Sequence, residues 1–376
     1  MFGSNDAPSL RERRRHPVRL VLTTLLLFSL ILAACGGGEA PTAESGAPAP
    51  GRSKPFTIGV SNGFVGSEWR TQMLSELQRV NAEYQQAGLT TELVIESADV
   101  DVQGQIQQIR NLINRDVDAI IVNPNSQTGL NSVLQEATDA GIVVIAVDQE
   151  IAAPKAINVV IDQTEWARMS AKWMAEKLGG KGDIVIINGI AGHPANEARY
   201  NGVKEVLAGY PEIKVLNVGN ANWDQATGQQ VMSNLLASQP KIDAVWTQDG
   251  MAQGVLQAVN TANPGTWPLI VGEARAGYMQ LWNTVLQTKP DFTSYGVINP
   301  PGVGASGLRI AVELLQGRSF KDGALKGPSA NSLYVPIPGV VNQENFAAEF
   351  AKIKDQPASY VLDGSITDAE AKAYFK

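Results

Sequence analysis

The sequence predicts an α/β protein built from two doubly wound, Rossmann-like lobes with parallel sheets. From Phe56 onward, short apolar runs rich in β-branched residues alternate with longer stretches of helical period, which is the pattern of repeated β-α units. The alternation begins a second time near residue 183. The length from Phe56 to Lys376 also favours two lobes over one large core.

The first half contains five strand candidates and three helical patterns. The strands are predicted at 56–61, 92–97, 119–123, 142–148 and 158–161. Apolar residues at helical spacing between them are Met73, Leu77, Val80 and Tyr84, then Ile106, Ile109 and Ile113, then Leu130, Val133, Leu134 and Ala137. Because strands and helices alternate, the strands of this lobe should be parallel.

The second half repeats this plan. Its strands are predicted at 183–188, 213–218, 244–247, 269–271 and 293–299, and its helices at 166–178, 200–207, 228–236 and 251–259. In open parallel sheets a ligand binds outside the carboxyl ends of the strands. We therefore expect recognition residues in the loops that follow the strands, facing a cleft between the two lobes.

The chain begins with the three zones of a secretory signal. Five arginines at 11–19 precede an apolar stretch at 20–32, which is shorter than the roughly 20 apolar residues that cross a bilayer. The sequence Leu-Ala-Ala-Cys at 32–35 resembles the bacterial lipobox. That resemblance implies removal of a signal peptide at 1–34 and attachment of lipid to the sulfur of Cys35, whereas the alternative is an ordinary buried cysteine.

The segment that follows Cys35 predicts a flexible tether at 35–53. Its residues 36–50 are only Gly, Ala, Pro, Ser, Thr and Glu, so they cannot bury a core. The protein is therefore expected to be exported and held by its lipid on a membrane surface outside the cytoplasm, in the periplasm or at the cell surface. Everything functional should lie after Lys54.

Charge and cysteine content exclude several classes. Removal of residues 1–34 takes away five Arg, Asp6 and Glu12, which changes the formal net charge from −7 to −10. An acidic surface disfavours nucleic acid, whose affinity for proteins comes largely from Lys and Arg. Cys35 is the only cysteine, so the mature fold has neither a disulfide nor a thiol nucleophile.

Polar and aromatic side chains recur where the predicted strands end. Aromatic faces cover the C–H patches of a sugar, while charged and amide groups bond its hydroxyls, so this combination predicts a sugar site. The candidate ligand-binding residues are Asn62, Phe64, Trp69, Arg70, Asp148, Gln149, His193, Asn196, Arg199, Trp223, Gln248, Asp249, Glu273 and Asn299.

Several of these residues lie in segments that resemble a known family. The segments are 117–124, 145–149, 189–192 with Arg199, and 248–252. In this order they resemble the type I solute-binding proteins of bacterial ABC importers, particularly those for ribose, galactofuranose and related sugars, and the likeness covers 56–341. The resemblance implies a type I periplasmic binding protein fold with a three-strand hinge.

The same resemblance implies what the protein does. It predicts a monomer that captures a monosaccharide or polyol between its lobes and delivers it to an ABC permease. It implies no cofactor, no metal and no catalysis. The alternative is a binding protein that passes a sugar signal to a membrane receptor or kinase, because both roles use the same closed clamp. A cytoplasmic repressor of this fold would need a DNA-binding segment before Phe56, where the chain has its signal and tether.

Matched to the family position by position, three of the candidates take aromatic and donor roles. Trp69 and Arg70 form the pair in the first loop, one stacking on the sugar ring and the other donating to hydroxyls or to the ring oxygen. Trp223 stands where the family has a second aromatic facing the ring. The alternative for both tryptophans is core packing, the commoner fate of a tryptophan.

The charged positions show both agreement and departure. Asp148 matches the carboxylate of the first lobe and Arg199 the arginine of the second; otherwise both would be exposed surface charges. Gln248 keeps an amide where the family often has Asn. The family usually has Arg at the position of Gln149, and it often has Asp near Glu273 where this chain has Glu-Ala. The ligand is therefore not expected to be ribose itself.

His193 is the only histidine after the predicted signal peptide. A metal site normally needs three or four clustered ligands, so a lone histidine does not predict one. We expect His193 to donate a hydrogen bond in the cleft or to cap the helix that follows it.

The glycine-rich stretch at 302–307 fits G-x-G-x-x-G, a pattern that also occurs in dinucleotide sites. It lies late in the chain and follows two prolines, so we interpret it as the point where the chain returns to the first lobe. With crossings near 161–163, 299 and 331, the N-terminal lobe is predicted to be 54–162 and 299–330. The C-terminal lobe is predicted to be 163–298 and 331–376, and the tail at 342–376 should pack on a lobe surface.

Overall fold

A computed structural model describes residues 54–376. The predicted signal peptide, the lipidation candidate Cys35 and the tether at 35–53 lie outside the described residues. None of the helices in 54–376 is both long and apolar enough to span a bilayer.

The described part alternates strands and helices, as predicted. Its strands are β1 (Ile58–Asn62), β2 (Val94–Ser97), β3 (Ala119–Asn123), β4 (Val143–Val147), β5 (Ile157–Val160), β6 (Lys181–Asn188), β7 (Glu212–Asn220), β8 (Ala244–Thr247), β9 (Leu269–Val271), β10 (Ser294–Val297), β11 (Ser332–Tyr334) and β12 (Val340–Val341). Its helices are α1 (Glu68–Gln86), α2 (Val102–Asn114), α3 (Asn131–Asp139), α4 (Gln163–Lys177), α5 (Pro194–Leu207), α6 (Gln225–Ser238), α7 (Ala252–Ala262), α8 (Ala276–Leu286), α9 (Val303–Leu315), α10 (Phe346–Ile353) and α11 (Asp368–Ala373).

The first lobe is a six-stranded sheet in the order β11-β5-β4-β3-β1-β2, and every pair in it is parallel. Helices α1 and α9 cover one face, and α2 and α3 cover the other. Every residue of β1 and β3 is therefore buried, which is why these strands read as continuous apolar runs in the sequence.

The second lobe is also a six-stranded sheet, in the order β12-β10-β9-β8-β6-β7. The prediction of parallel strands holds for five of them, but β12 runs antiparallel to β10. Strand β10 leads out of this sheet towards the hinge and β12 leads back in from it. The two strands therefore meet in opposite directions without the crossover helix that a parallel pair requires.

The pairing of β11 shows that the third crossing between the lobes lies later in the chain than predicted. The residues of β11 pair with 158–160 in the first sheet, and the side chain of Asn331 donates to the carbonyl oxygens of Ala153 and Ala156. The third crossing therefore lies between Tyr334 and Val340, and the boundary predicted near Asn331 is too early. A three-residue strand, here Ser-Leu-Tyr, is too short for its sequence to indicate which of two sheets it joins.

The C-terminal tail contacts both lobes, although 331–376 was predicted to belong to the second. Helix α10 packs on α8, with the rings of Phe346 and Trp282 4.4 Å apart between centroids. Helix α11 instead packs on α9 of the first lobe, and Phe375 stacks on Phe320 at 4.5 Å. The tail is thus a fourth connection between the lobes, next to the three of the hinge.

The glycine-rich stretch begins α9, and its glycines allow close packing. A Cβ at Gly304 would come within 2.7 Å of the Met73 side chain, and one at Gly307 within 2.5 Å of Val147. Helix α9 can therefore lie directly on α1 and β4 at the return to the first lobe, which supports the packing interpretation of this pattern.

Asp363 fastens the tail beside the hinge. Its Oδ1 accepts from the backbone N–H groups of Gly302, at 2.6 Å, and Gly364, at 2.7 Å. Burial raises the pKa of the Asp363 carboxyl from 3.8 to about 6, although these two hydrogen bonds oppose the rise. Ionisation of the Asp363 carboxyl at neutral pH therefore destabilises the folded protein.

We expect Asp363→Asn to remove one component of the pH dependence of stability. In the wild type, this group lowers the free energy of unfolding as pH rises from about 4 to about 6, by up to about 3 kcal/mol, because its pKa is higher in the folded state. Asparagine keeps the acceptor oxygen without the charge. Urea unfolding should show that the free energy of unfolding of the variant, relative to the wild type, is higher at pH 7.5 than at pH 4. Asp355→Asn, at an exposed site, serves as the control. If Asp363→Asn differs from the wild type in the free energy of unfolding by the same amount at both pH values, the prediction is contradicted.

Candidate ligand-binding site

A cavity of about 340 Å³ lies between the two lobes at the carboxyl ends of both sheets. This volume is within the roughly 300–1,000 Å³ of small-molecule sites. Nine predicted residues line it: Phe64, Trp69, Arg70, Asp148, His193, Arg199, Trp223, Asp249 and Asn299. The predicted residues Asn62, Gln149, Asn196, Gln248 and Glu273 are not in its lining. Residues that the sequence did not single out also line it, among them Asn125, Asn222 and Arg275.

Asp148 follows β4 and presents a buried carboxylate to the cavity. Its backbone is left-handed, with φ of 69°, a conformation that Asp tolerates better than most residues. Asn123 and Gln149 donate to its Oδ2 at 3.5 Å. Burial raises the pKa of the Asp148 carboxyl above its usual range, and the guanidinium groups of Arg70 and Arg199 oppose that rise.

Arg70, near the start of α1, supplies the cation nearest to this carboxylate in the first lobe. Its Nη1 donates to Oδ1 of Asn62 at 3.0 Å, and its guanidinium lies 5.7 Å from the centre of the Phe64 ring. Burial lowers the pKa of Arg70 to about 10, which still leaves it protonated at neutral pH; Asp148 opposes this effect. Asn62 thus supports Arg70 and does not line the cavity itself.

Trp69 belongs to the core and also lines the cavity, so the structure agrees with core packing and leaves its ring beside the predicted site. Its Nε1 donates to the carbonyl oxygen of Asn299 at 2.8 Å, and the side chain of Asn299 donates to Oδ2 of Asp249 at 3.0 Å. A hinge residue therefore connects an aromatic of the first lobe to a carboxylate of the second.

Arg199 on α5 is the central cation of the second lobe. Its Nη1 donates to Asp249 and, at 3.4 Å, to Gln248, while its Nε donates to Oε1 of Gln163 at 2.8 Å. Its guanidinium also lies over the Trp166 ring at 4.2 Å. The side chains of Arg199 and Asp148 are buried, so neither is an exposed surface charge.

Gln163 is a functional residue that sequence reasoning missed. Its Oε1 holds Arg199, and its Nε2 donates to the backbone carbonyl of Asp148 at 3.3 Å. The residue lies at the first crossing between the lobes, which the sequence located without assigning the glutamine a role. One amide thus links the two opposing charged residues of the cavity.

Trp223 lies in a strained turn that aims its ring into the cavity. Its φ is 57° and that of Asn222 is 55°. The indole Nε1 donates to Oε1 of Gln248 at 2.8 Å, and Gln248 in turn donates to Asn196 at 2.8 Å. Gln248 and Asn196 therefore form a supporting layer behind Trp223. A Cβ at Gly189 would come within 2.2 Å of the indole, so that position needs glycine.

His193 occupies the N-cap position of α5, but its side chain makes no capping bond. Its ring meets Trp223 edge-on, with centroids 4.7 Å apart. Burial, together with the charges of Arg70 and Arg199, lowers the pKa of His193 from 6.5 to about 3. The imidazole is therefore neutral at physiological pH. Its Nδ1 has no hydrogen-bond partner among the residues that the structure describes.

Glu273 and Gln149 lie behind the cavity wall. Glu273 accepts from the N–H of Gly250, from Gln225 at 2.7 Å and from Arg275 at 3.1 Å, so it braces the loop that carries Asp249. Gln149 bonds Oδ1 of Asn123 at 3.2 Å. Glu273 is therefore not a direct substitute for the missing family carboxylate.

One short motif of serine hydrolases occurs in the sequence, and the structure places it within a strand. The stretch at 59–63 matches G-x-S-x-G, but Ser61 lies within β1 and donates to Gln108 at 2.9 Å, whereas a nucleophilic serine needs an exposed strand-to-helix turn. Among residues 54–376 no group of three or more His, Cys, Asp or Glu is arranged to hold a metal ion.

Comparison with known proteins assigns the chain to a family. Residues 58–319 match the periplasmic binding protein domain, so the chain belongs to the periplasmic binding protein family. It is 36% identical over 233 residues to the xylitol-binding protein of Mycolicibacterium smegmatis, covering 61% of this chain and 65% of that protein. It is 28% identical over 254 residues to the ribose import binding protein of Bacillus subtilis, covering 67% and 79%.

A solved structure confirms the predicted architecture. An ABC transporter solute binding protein from Thermobispora bispora superposes with a TM-score of 0.73 at 27% identity, covering 85% of this chain and 94% of that one. The type I periplasmic binding protein fold predicted from the sequence is therefore confirmed.

We expect the imidazole of His193 to remain neutral between pH 5 and pH 8, because burial and two nearby arginines lower its pKa to about 3. A fragment of residues 46–376 contains no other histidine, so its NMR signals need no assignment. Chemical shifts of the ring measured across this range should not change. A titration midpoint near 6.5 would show that the ring is exposed to solvent.

Proposed function

We propose that this protein is an extracytoplasmic solute-binding lipoprotein that captures a neutral sugar or polyol and delivers it to an ABC permease. The observation that carries the proposal is the cavity between the lobes, where a buried carboxylate from one lobe faces a buried arginine from the other. Membership of the periplasmic binding protein family and relatives named for xylitol and ribose support it.

The charges around the cavity favour a neutral ligand. Arg199 is paired with Asp249, and Arg275 with Glu273 at 3.1 Å. The remaining buried cation, Arg70, interacts with Asp148. Because each arginine already has a carboxylate, an anionic sugar acid or phosphate would leave a buried negative charge uncompensated. Hydroxyl groups can instead accept from the arginines and donate to the carboxylates.

The aromatic residues supply the rest of the site. Phe64 and Trp69 enter from the first lobe and Trp223 from the second. Flat apolar faces on both sides suit a ring or an extended polyol whose C–H groups lie between them. Since Gln149 replaces the arginine usual in the family and lies outside the lining, the ligand we propose is not ribose itself.

Closure of the clamp follows from the position of these groups. A ligand that bonds Asp148 in one lobe and Arg199 in the other has higher affinity for the closed form than for the open form, and this difference drives closure. The hinge residues Gln163 and Asn299 bond residues on both sides of the cleft, so their contacts also change when the lobes separate. The closed monomer then docks on the permease and undergoes no chemistry.

A lipid on Cys35 would hold the binding protein at the membrane surface, next to its permease. An anchored binding protein stays beside its permease, which raises the effective concentration for docking. The tether predicted from the composition of 35–53 would let the lobes reorient while the lipid stays in the membrane.

The ligand class is tested by calorimetric titration of residues 46–376 with D-ribose, D-allose, L-arabinose, xylitol and myo-inositol. We expect at least one of these to bind. Asp148→Asn and Arg199→Ala should each weaken the tightest member by about 10- to 100-fold, because each removes a charge-assisted hydrogen bond. The corresponding aldonates and sugar phosphates should bind more weakly than the neutral compounds.

Two control variants are matched to these changes. Asp116→Asn alters an exposed aspartate that shares the left-handed backbone of Asp148, with φ of 55°. Arg168→Ala removes an arginine that bonds Glu205 on the surface. Both should bind as the wild type does. Normal affinity in Asp148→Asn and Arg199→Ala would overturn the assignment of the site, provided that thermal unfolding shows all variants folded.

The anchor is tested separately by Cys35→Ser in the full chain. Without the sulfur there is no site for the lipid, so we expect the protein to leave the membrane fraction and to lose labelling by a radioactive fatty acid. Binding in the cleft should be unaffected, since Cys35 is not among the residues that line the cavity. Unchanged labelling in the variant would show that lipid is attached elsewhere or not through this residue.

A further inference from the structure

Arg275 is a residue of the cavity wall for which the family resemblance gave no role. It follows β9 and immediately precedes α8, and its side chain is 91% buried while lining the cavity. We infer that Arg275 contacts the ligand directly and determines specificity by donating to hydroxyl oxygens. This inference rests on the proposed function, because it assigns one further contact in the same cleft.

Three contacts fix the orientation of the Arg275 guanidinium. Its Nε donates to Glu273 at 3.1 Å, and its Nη1 donates to the carbonyl oxygen of Ser359 at 3.0 Å and to Glu68 at 3.4 Å. Its Nη2 makes no hydrogen bond to the described part of the chain. A guanidinium held through Nε and Nη1, with the donors of Nη2 left over, is preorganised for an acceptor in the cavity.

The C-terminal tail supplies part of this support. Residues around Val361 run antiparallel to the stretch at 274–277, so that Ala276 donates to the carbonyl oxygen of Tyr360 at 2.8 Å and Leu362 donates to that of Ala274 at 2.8 Å. These bonds hold the backbone on both sides of Arg275. The family match ends at residue 319, before the tail begins, so the tail adds a support for this arginine outside the matched domain.

The tail also connects Arg275 to the first lobe. The side-chain amide of Gln72 on α1 donates to the carbonyl oxygen of Val361 and accepts from its N–H, both at 3.0 Å. Glu68, at the start of the same helix, reaches Arg275 from across the cleft. The arginine therefore lies where both lobes and the tail meet.

The chemistry of the site points to a neutral acceptor. Glu273 is 1% exposed at its side chain and already balances the charge of Arg275. A hydroxyl oxygen can accept from Nη2 without adding a second negative charge to this pocket. Where the family often has a carboxylate that accepts hydrogen bonds near this position, Arg275 offers donors, so the preferred ligand should present an acceptor there.

The experiment compares Arg275→Ala with the wild type in residues 46–376. Calorimetry first identifies the tightest binder among D-ribose, D-allose, L-arabinose, xylitol and myo-inositol, and both proteins are then titrated with it and with each of its monodeoxy analogues. We expect Arg275→Ala to weaken the parent compound by about 10- to 100-fold. For one deoxy position, the wild type should discriminate against the analogue while the variant binds parent and analogue alike.

A purely structural role would give a different pattern, since it would weaken the parent and all analogues equally. That uniform loss, or an affinity within twofold of the wild type, overturns the inference. Arg168→Ala is the control and should change neither affinity nor discrimination. If Arg275→Ala does not fold, Arg275→Lys keeps the charge beside Glu273 without the planar fork, and it should still lose discrimination at that position.

The two hypotheses fail in different ways. If the wild type binds no member of the panel, the proposed function and this inference fail together. If the wild type binds and Arg275→Ala discriminates among the analogues as the wild type does, only the role of Arg275 is rejected.

Discussion

The buried ion pair between Arg199 and Asp249 is the interaction on which the site depends. An arginine held inside a protein needs a carboxylate and further acceptors, since removing one partner of such a pair typically costs about 3–5 kcal/mol. Here Asp249, Gln248 and Gln163 accept from Arg199. Gln248 and Asp249 follow β8, whereas Gln163 lies at the first hinge crossing and Arg199 on α5. Satisfying one cation therefore fixes the relative position of a helix, a strand end and that crossing.

The hinge takes part in the site through side-chain amides. Gln163 bonds both Arg199 and the backbone of Asp148, and Asn299 connects Trp69 to Asp249. The side-chain amide of Gln163 offers a donor and an acceptor, so it can bond residues of two lobes at once. Asn299 instead accepts from Trp69 through its backbone carbonyl and donates to Asp249 through its side chain. The charged groups that face a ligand are thereby linked to the segments that bend when the cleft opens. In the mechanism that we propose, ligand binding and lobe closure act on the same set of hydrogen bonds.

Behind the residues that line the cavity lies a layer that supports them. Gln248 and Asn196 orient Trp223, Asn62 holds Arg70, and Glu273 braces the loop of Asp249. Several of these were predicted as ligand contacts because they follow strands at the carboxyl end of a sheet. A position at the carboxyl end of a parallel strand does not show whether a side chain points into the cavity or lies behind its wall. That distinction depends on local backbone angles and on which neighbour competes for the same hydrogen bond.

The sequence by itself determined the two-lobe α/β fold, most strand positions and the aromatic, amide and charged residues around the cleft, because alternating apolar periods and strand-end side chains are local features. It could not determine that Ser332–Tyr334 joins the first sheet, or that the tail contacts both lobes, since a short apolar segment can pair with either sheet. It also missed Gln163 and Arg275. Only the tertiary structure showed their contacts, because each bonds partners as distant in sequence as Asp148, Arg199 and Ser359.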